Sequence, residues 1–140
     1  MKEFSAKVTI NAAPETIWGL LTDAAGYPDW DPGMIRLEGT VAHGKKITAY
    51  TKTSPDRAFP VTVSHFVPNK EMTWSSGMPL GLFKAERIFK LTPQGGGTVE
   101  FFVHERFTGP MMFLIGRTIP DLSGAFTDFA AGLKAKAESM

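Results

Sequence analysis

Residues 81–109, GLFKAERIFKLTPQGGGTVEFFVHERFTG, fold back on themselves once their alternation is followed. In the first arm Phe83, Ala85, Phe89 and Leu91 share one face of an extended chain, with Arg87 in their midst. The opposite face carries Lys84, Glu86, Ile88 and Lys90. In the second arm Val99, Phe101, Val103, Glu105 and Phe107 share a face that is again apolar with one charge. Between the arms, Pro93 to Gly97 supplies turn chemistry. The triple glycine lacks the Lys-Ser/Thr of a phosphate loop and reads as a hairpin turn. Pairing the arms places Arg87 beside Glu105, directly or one diagonal step away, within an arginine's reach. The expectation is a buried or half-buried ion pair on the inner face. It either serves the fold alone or also lines a cavity and orients the polar end of a ligand.

Outward from this hairpin, residues 3–11 alternate Phe4, Ala6, Val8 and Ile10 against polar neighbours, as a half-buried strand does. Pro14 suits a first helical turn, where its missing N–H is no loss, and Ile17, Trp18, Leu20 and Leu21 follow at helical spacing. A short helix over 14–24 follows from this, ended by Gly26, Pro28 and Pro32. Further strands are expected at 34–41, 45–52, 58–67 and 70–76, then at 82–92 and 98–108 in the hairpin. Short turns join them, Ser54-Pro55-Asp56 among these, so neighbours pair antiparallel. Leu122, Phe126, Phe129 and Leu133 make the apolar stripe of a C-terminal helix, which must bury that stripe on the sheet. Pro120 starts this helix or kinks a longer one begun near Met111.

Composition narrows the function classes. The 140 residues are read as one domain, 1–140, with 43% hydrophobic and 21% charged residues, as in ordinary globular proteins. A net charge of +1 and the lack of a basic run argue against a nucleic-acid partner. With no cysteine there is no disulfide, thiolate metal site or cysteine nucleophile. The three histidines are dispersed, with no HxH or HExxH spacing, and no Gly-x-Ser-x-Gly elbow occurs. No metal or other cofactor is therefore expected. The longest strongly apolar run, Met111 to Ile115, is too short to insert stably in a membrane. A cytoplasmic monomer or homodimer is the expectation.

Residues 12–32, AAPETIWGLLTDAAGYPDWDP, and the closing Glu105-x-Phe107-x-Gly109 resemble polyketide cyclase/dehydrase-like proteins of the START-like (SRPBCC) superfamily. Pro14, Ile17-Trp18, Leu21, Asp23, Tyr27 and Trp30-Asp31-Pro32 match the opening pattern, with Asp31 where the family has Asn. The family often has a histidine two positions before the glutamate. Val103 stands there, and His104 is next door. The resemblance implies an α+β helix-grip fold: a curved antiparallel sheet of about seven strands around the long C-terminal helix, with short helices after the first strand. It also implies a cavity between sheet and helix for a small hydrophobic molecule, lipid-like, polyketide-like or aromatic.

Residues expected to line that space are Trp30, His65, Trp74, Arg87, Phe89, Phe101, Glu105, Met112, Phe113 and Phe126. His65 continues the alternation of Phe59, Val61 and Val63, so it points inward unless a bulge shifts the register. As a general base it would need a carboxylate or substrate within hydrogen-bond reach. Trp30 is either a fold anchor or part of the cavity mouth, and Trp74 shares an inner face with Met72. Met111 to Ile115 either cover the cavity flexibly or pack the core. Arg117 and Asp121, one helical turn apart, are expected to form a surface pair. Three functions stay open: binding or carriage of an apolar ligand, cyclase or dehydratase chemistry by positioning and acid–base help, and a protein-interaction module.

Overall fold

A computed structural model describes residues 2–140. The chain forms β1 (Lys2–Ile10), α1 (Pro14–Thr22), a 3-10 turn (Ala24–Asp29), β2 (Met34–Glu38), β3 (Lys46–Thr51), β4 (Ser54–Val67) and β5 (Glu71–Gly77). It continues with β6 (Lys84–Gln94), β7 (Thr98–Thr108), α2 (Met112–Ile115) and α3 (Ser123–Glu138). One 7-stranded sheet runs in the order β1-β7-β6-β5-β4-β3-β2, antiparallel at every junction. This is the helix-grip α+β architecture, with α3 packed across β1 and β7.

Pro14 opens α1 at its first turn, and the helix buries Ile17, Trp18, Leu20 and Leu21. Trp18 meets Phe66 of β4 edge-on at 5.3 Å, which fixes α1 to the sheet. α3 buries Phe126, Phe129, Ala130, Leu133 and Ala137. Its backbone comes close to a neighbour at Gly132, where a Cβ would lie 1.9 Å from the Trp30 carbonyl oxygen. No other residue fits at that position without moving the turn.

Three readings of the sequence are corrected here. β4 starts at Ser54, which pairs with Thr51, so the turn is Lys52-Thr53 and not Ser54-Pro55-Asp56. His65 does not point inward. The register slips between Ser64 and Val67, His65 takes a left-handed φ of 47°, and its side chain is exposed. Arg117 and Asp121 do not pair. The Asp121 carboxylate instead accepts from the Ser123 N–H at 3.0 Å and hydroxyl at 2.7 Å, which closes the N-terminus of α3.

The inner face divides into two halves. On one side Met72, Phe89, Leu91, Val99, Phe101, Val103, Phe129 and Leu133 are almost wholly buried and form a filled core. Towards the loop joining β5 to β6, the inward residues Ala49, Phe59, Val61, Ser76 and Ala85 are only half-buried, with Ile47 and Phe107 the buried residues among them. By side-chain exposure, the inner face is thus filled at one end and half-open at the other.

Candidate functional site

The boundary between those halves is a row of paired residues across five strands: Val63, Trp74, Arg87, Glu105 and Phe4. Residues directly opposite in an antiparallel sheet share a face, so all five side chains face inward. Arg87 and Glu105 are direct partners, the nearer of the two arrangements the sequence allowed. The Arg87 Nε–H donates to Glu105 Oε1 at 2.6 Å. The two side chains are 25% and 13% exposed, so the pair is half-buried, not sealed. The Arg87 guanidinium also lies 4.7 Å from the centre of the Phe126 ring, where the π face attracts the cation.

Aromatic rings pack behind this pair. Tyr27, from the turn after α1, lies 4.6 Å from Trp30 and 5.9 Å from Trp74, and its hydroxyl donates to the Leu21 carbonyl at 2.6 Å. Burial pushes the Tyr27 phenol well above its ordinary value, the nearby Asp31 charge adds to that, and Arg87 opposes it. Asp31 is buried as well. Its Oδ1 accepts the Gly33 N–H at 3.0 Å, the closure of an Asx turn. Burial raises the Asp31 carboxyl from its ordinary value, while the Gly33 hydrogen bond and the Arg87 charge pull the other way.

Two donors are left over. The indole N–H groups of Trp30 and Trp74 are buried and have no hydrogen-bond partner among the described residues. A buried donor without a partner costs about 1–3 kcal/mol, so both groups can gain from an acceptor.

The expected site residues separate accordingly. Arg87, Glu105, Trp74, Trp30 and Phe126 come together around the boundary row. Phe89 and Phe101 have no exposed surface and belong to the filled core behind it. Met112 is half-buried and Phe113 is 68% exposed, so α2 turns one side inward and the other to solvent. His65 is outside the site. Tyr27 and Asp31 belong to it, although the sequence signalled only their place in a turn. Their approach to Arg87 depends on α3 and the turn meeting at Gly132.

No group of three His, Cys, Asp or Glu side chains suited to a metal ion occurs among the described residues. Two surface grooves, of about 430 and 470 Å³, lie apart from the pair. One runs between β1 and α3 along Ala6, Val8, Ala131 and Lys134. The other crosses the outer sheet face at Pro60, Thr62, Ser75 and Lys84. The boundary row offers a fixed cation–anion pair, the partnerless Trp74 indole donor and an apolar wall, a set able to hold the polar end of an otherwise apolar molecule.

A family model described as polyketide cyclase / dehydrase and lipid transport matches residues 1–138. No curated protein matches the sequence. Among solved structures, a START superfamily protein from Mycobacterium smegmatis superposes with a TM-score of 0.69 at 21% identity, covering 98% of this chain and 97% of that one. BexL, a di-domain ARO/CYC protein of the BE-7585A biosynthetic pathway, superposes with a TM-score of 0.71 at 13% identity. DynU16, from the dynemicin biosynthetic locus, does so with a TM-score of 0.73 at 17% identity. The chain covers 99% of its own length against both, but only 47% of BexL and 48% of DynU16. At these identities the likeness is one of fold. With the family model spanning nearly every residue and the helix-grip architecture in place, the chain belongs to the polyketide cyclase / dehydrase and lipid transport family.

Proposed function

We propose that the protein binds a small, largely apolar molecule in the open half between the sheet and α3, with its polar end at Arg87 and Glu105. One observation carries this reading. Burial along the inner face drops at the row holding the ion pair, so a charged pair stands where a filled core meets half-open apolar wall. Burial of ligand surface against Ala49, Phe59, Val61 and Ala85 supplies the affinity. The guanidinium and the carboxylate supply orientation. The family description and the fold agree with a lipid-like, polyketide-like or aromatic ligand. We place the protein in the cytoplasm and treat residues 1–140 as one functional unit.

A second reading has its own support. The partnerless indole donor of Trp74, directly opposite Arg87, is a group that could steady negative charge on a carbonyl oxygen. A cyclase or dehydratase could then act by holding a flexible chain in a reactive fold.

Native mass spectrometry of freshly purified full-length protein tests the binding reading. A bound apolar compound is expected to survive in the spectrum and to be lost from the Arg87→Met/Glu105→Leu double variant. Each single substitution strands one ion and is expected to cost about 2–3 kcal/mol of stability. The double variant, with no ion stranded, is expected to recover much of that loss in chemical denaturation. Additive losses, or a compound retained by the double variant, would remove the pair from both roles.

A further inference from the structure

At the open end of the sheet, large apolar side chains gather on the surface. Met78, Leu80 and Leu82 in the β5–β6 loop are 45%, 97% and 41% exposed, and Phe113 and Leu114 on α2 are 68% and 52% exposed. The two segments form one surface. The Met111 N–H donates to the Leu82 carbonyl at 2.9 Å, and a Cβ at Gly109 would lie 2.6 Å from that oxygen. Leu80 is held at φ 62°, ψ 21°, a left-handed conformation that suits Gly or Asn and resists leucine. Neither burial nor backbone preference selects leucine there.

The two segments themselves carry charge of one sign, with acidic residues only beyond their ends. No acidic residue occurs in 72–85 or in 106–120, whereas Lys84, Arg106 and Arg117 do. Lys84 is 3.6 Å from Glu86, and Arg106 lies opposite Glu3 and Glu86 in register. Arg117 forms no ion pair among the described residues. Among the described residues no helix is long and apolar enough to cross a membrane.

We propose that this end docks reversibly on an anionic lipid bilayer. Leu80 and Phe113 enter the boundary between headgroups and acyl chains, while Arg117 and Lys84 sit at headgroup level. A protein partner would be met by a continuous apolar core with a polar rim. Here apolar side chains stand at two neighbouring tips with cations behind them, which fits an interface that deforms around each. The proposal goes beyond the interior site and does not require a ligand there.

Co-sedimentation of the full chain with phosphatidylcholine vesicles, with and without phosphatidylglycerol, tests it. Binding is expected with the anionic vesicles, weakened by added salt. Leu80→Ser with Phe113→Ser is expected to lower the partition coefficient about tenfold or more, and Arg117→Glu about fivefold or more. The replaced side chains are exposed, so thermal melts of the variants should match the parent and exclude misfolding as the cause. Equal sedimentation of parent and double variant would overturn the proposal, as would no binding to anionic vesicles. A concentration-dependent dimer in analytical ultracentrifugation, abolished by the same double variant, would instead make the surface an interface between copies of the chain.

Discussion

The Asp31 N–H donates to the Tyr27 carbonyl, one carboxylate oxygen accepts from the Gly33 N–H, and the residue is buried. Its carboxyl is raised chiefly because burial disfavours the charge. A carboxyl raised in the folded state contributes stability below its unfolded pKa, and that stability is lost as pH climbs through the folded value. Asp31→Asn keeps an oxygen for Gly33 and removes the charge. It is therefore expected to raise the melting temperature at pH 7, and the gain should shrink towards zero near pH 3. Melting curves of both proteins across that range check the sign, and a destabilised variant at pH 7 would mean that attraction to Arg87 and Lys52 outweighs burial. At this scale the sequence was informative where a regular period held. Arg87 and Glu105 could be paired because two strands of strict alternation met across a short turn. Asp31 and Tyr27 lie in an irregular turn, and nothing local says which way such a turn folds.

Among elements, the junction of α3 with the Tyr27–Asp31 turn sets the site's geometry. Gly132 is the notch that admits the Trp30 carbonyl, so Gly132→Ala is expected to cost about 2 kcal/mol or more by overpacking. It should also move Trp30 and Tyr27 away from Phe129, which near-ultraviolet circular dichroism of the aromatic cluster would record. Unchanged stability and an unchanged spectrum would show that the turn yields freely. The hairpin, the first strand and the C-terminal stripe were legible from period and turn chemistry. The bulge at His65 was not, since one extra residue in a strand leaves no mark in composition yet turns every later side chain over. The start of β4 escaped for a related reason: Ser54-Pro55-Asp56 has turn composition, but pairing with β3 overrides it.

Over the whole molecule, the division of the inner face into a filled and an open half predicts uneven local stability. Amides of the β6–β7 core around Phe89 and Phe101 should exchange with solvent on the order of 100-fold more slowly than those near Ser76 and Ala85. Hydrogen exchange read by mass spectrometry of peptides would show this, and uniform protection would contradict the division. The sheet order has a further result, for the order of assembly. β1 pairs with β7, and Lys2 lies opposite Phe107. Contacts this distant in the chain close late and slow the folding of two-state domains. During synthesis β1 emerges before the other strands of this sheet and must wait for its partner until almost the whole sheet has been made. α3, which seals it with the Lys134 ammonium on the Thr9 carbonyl at 2.7 Å, comes later still.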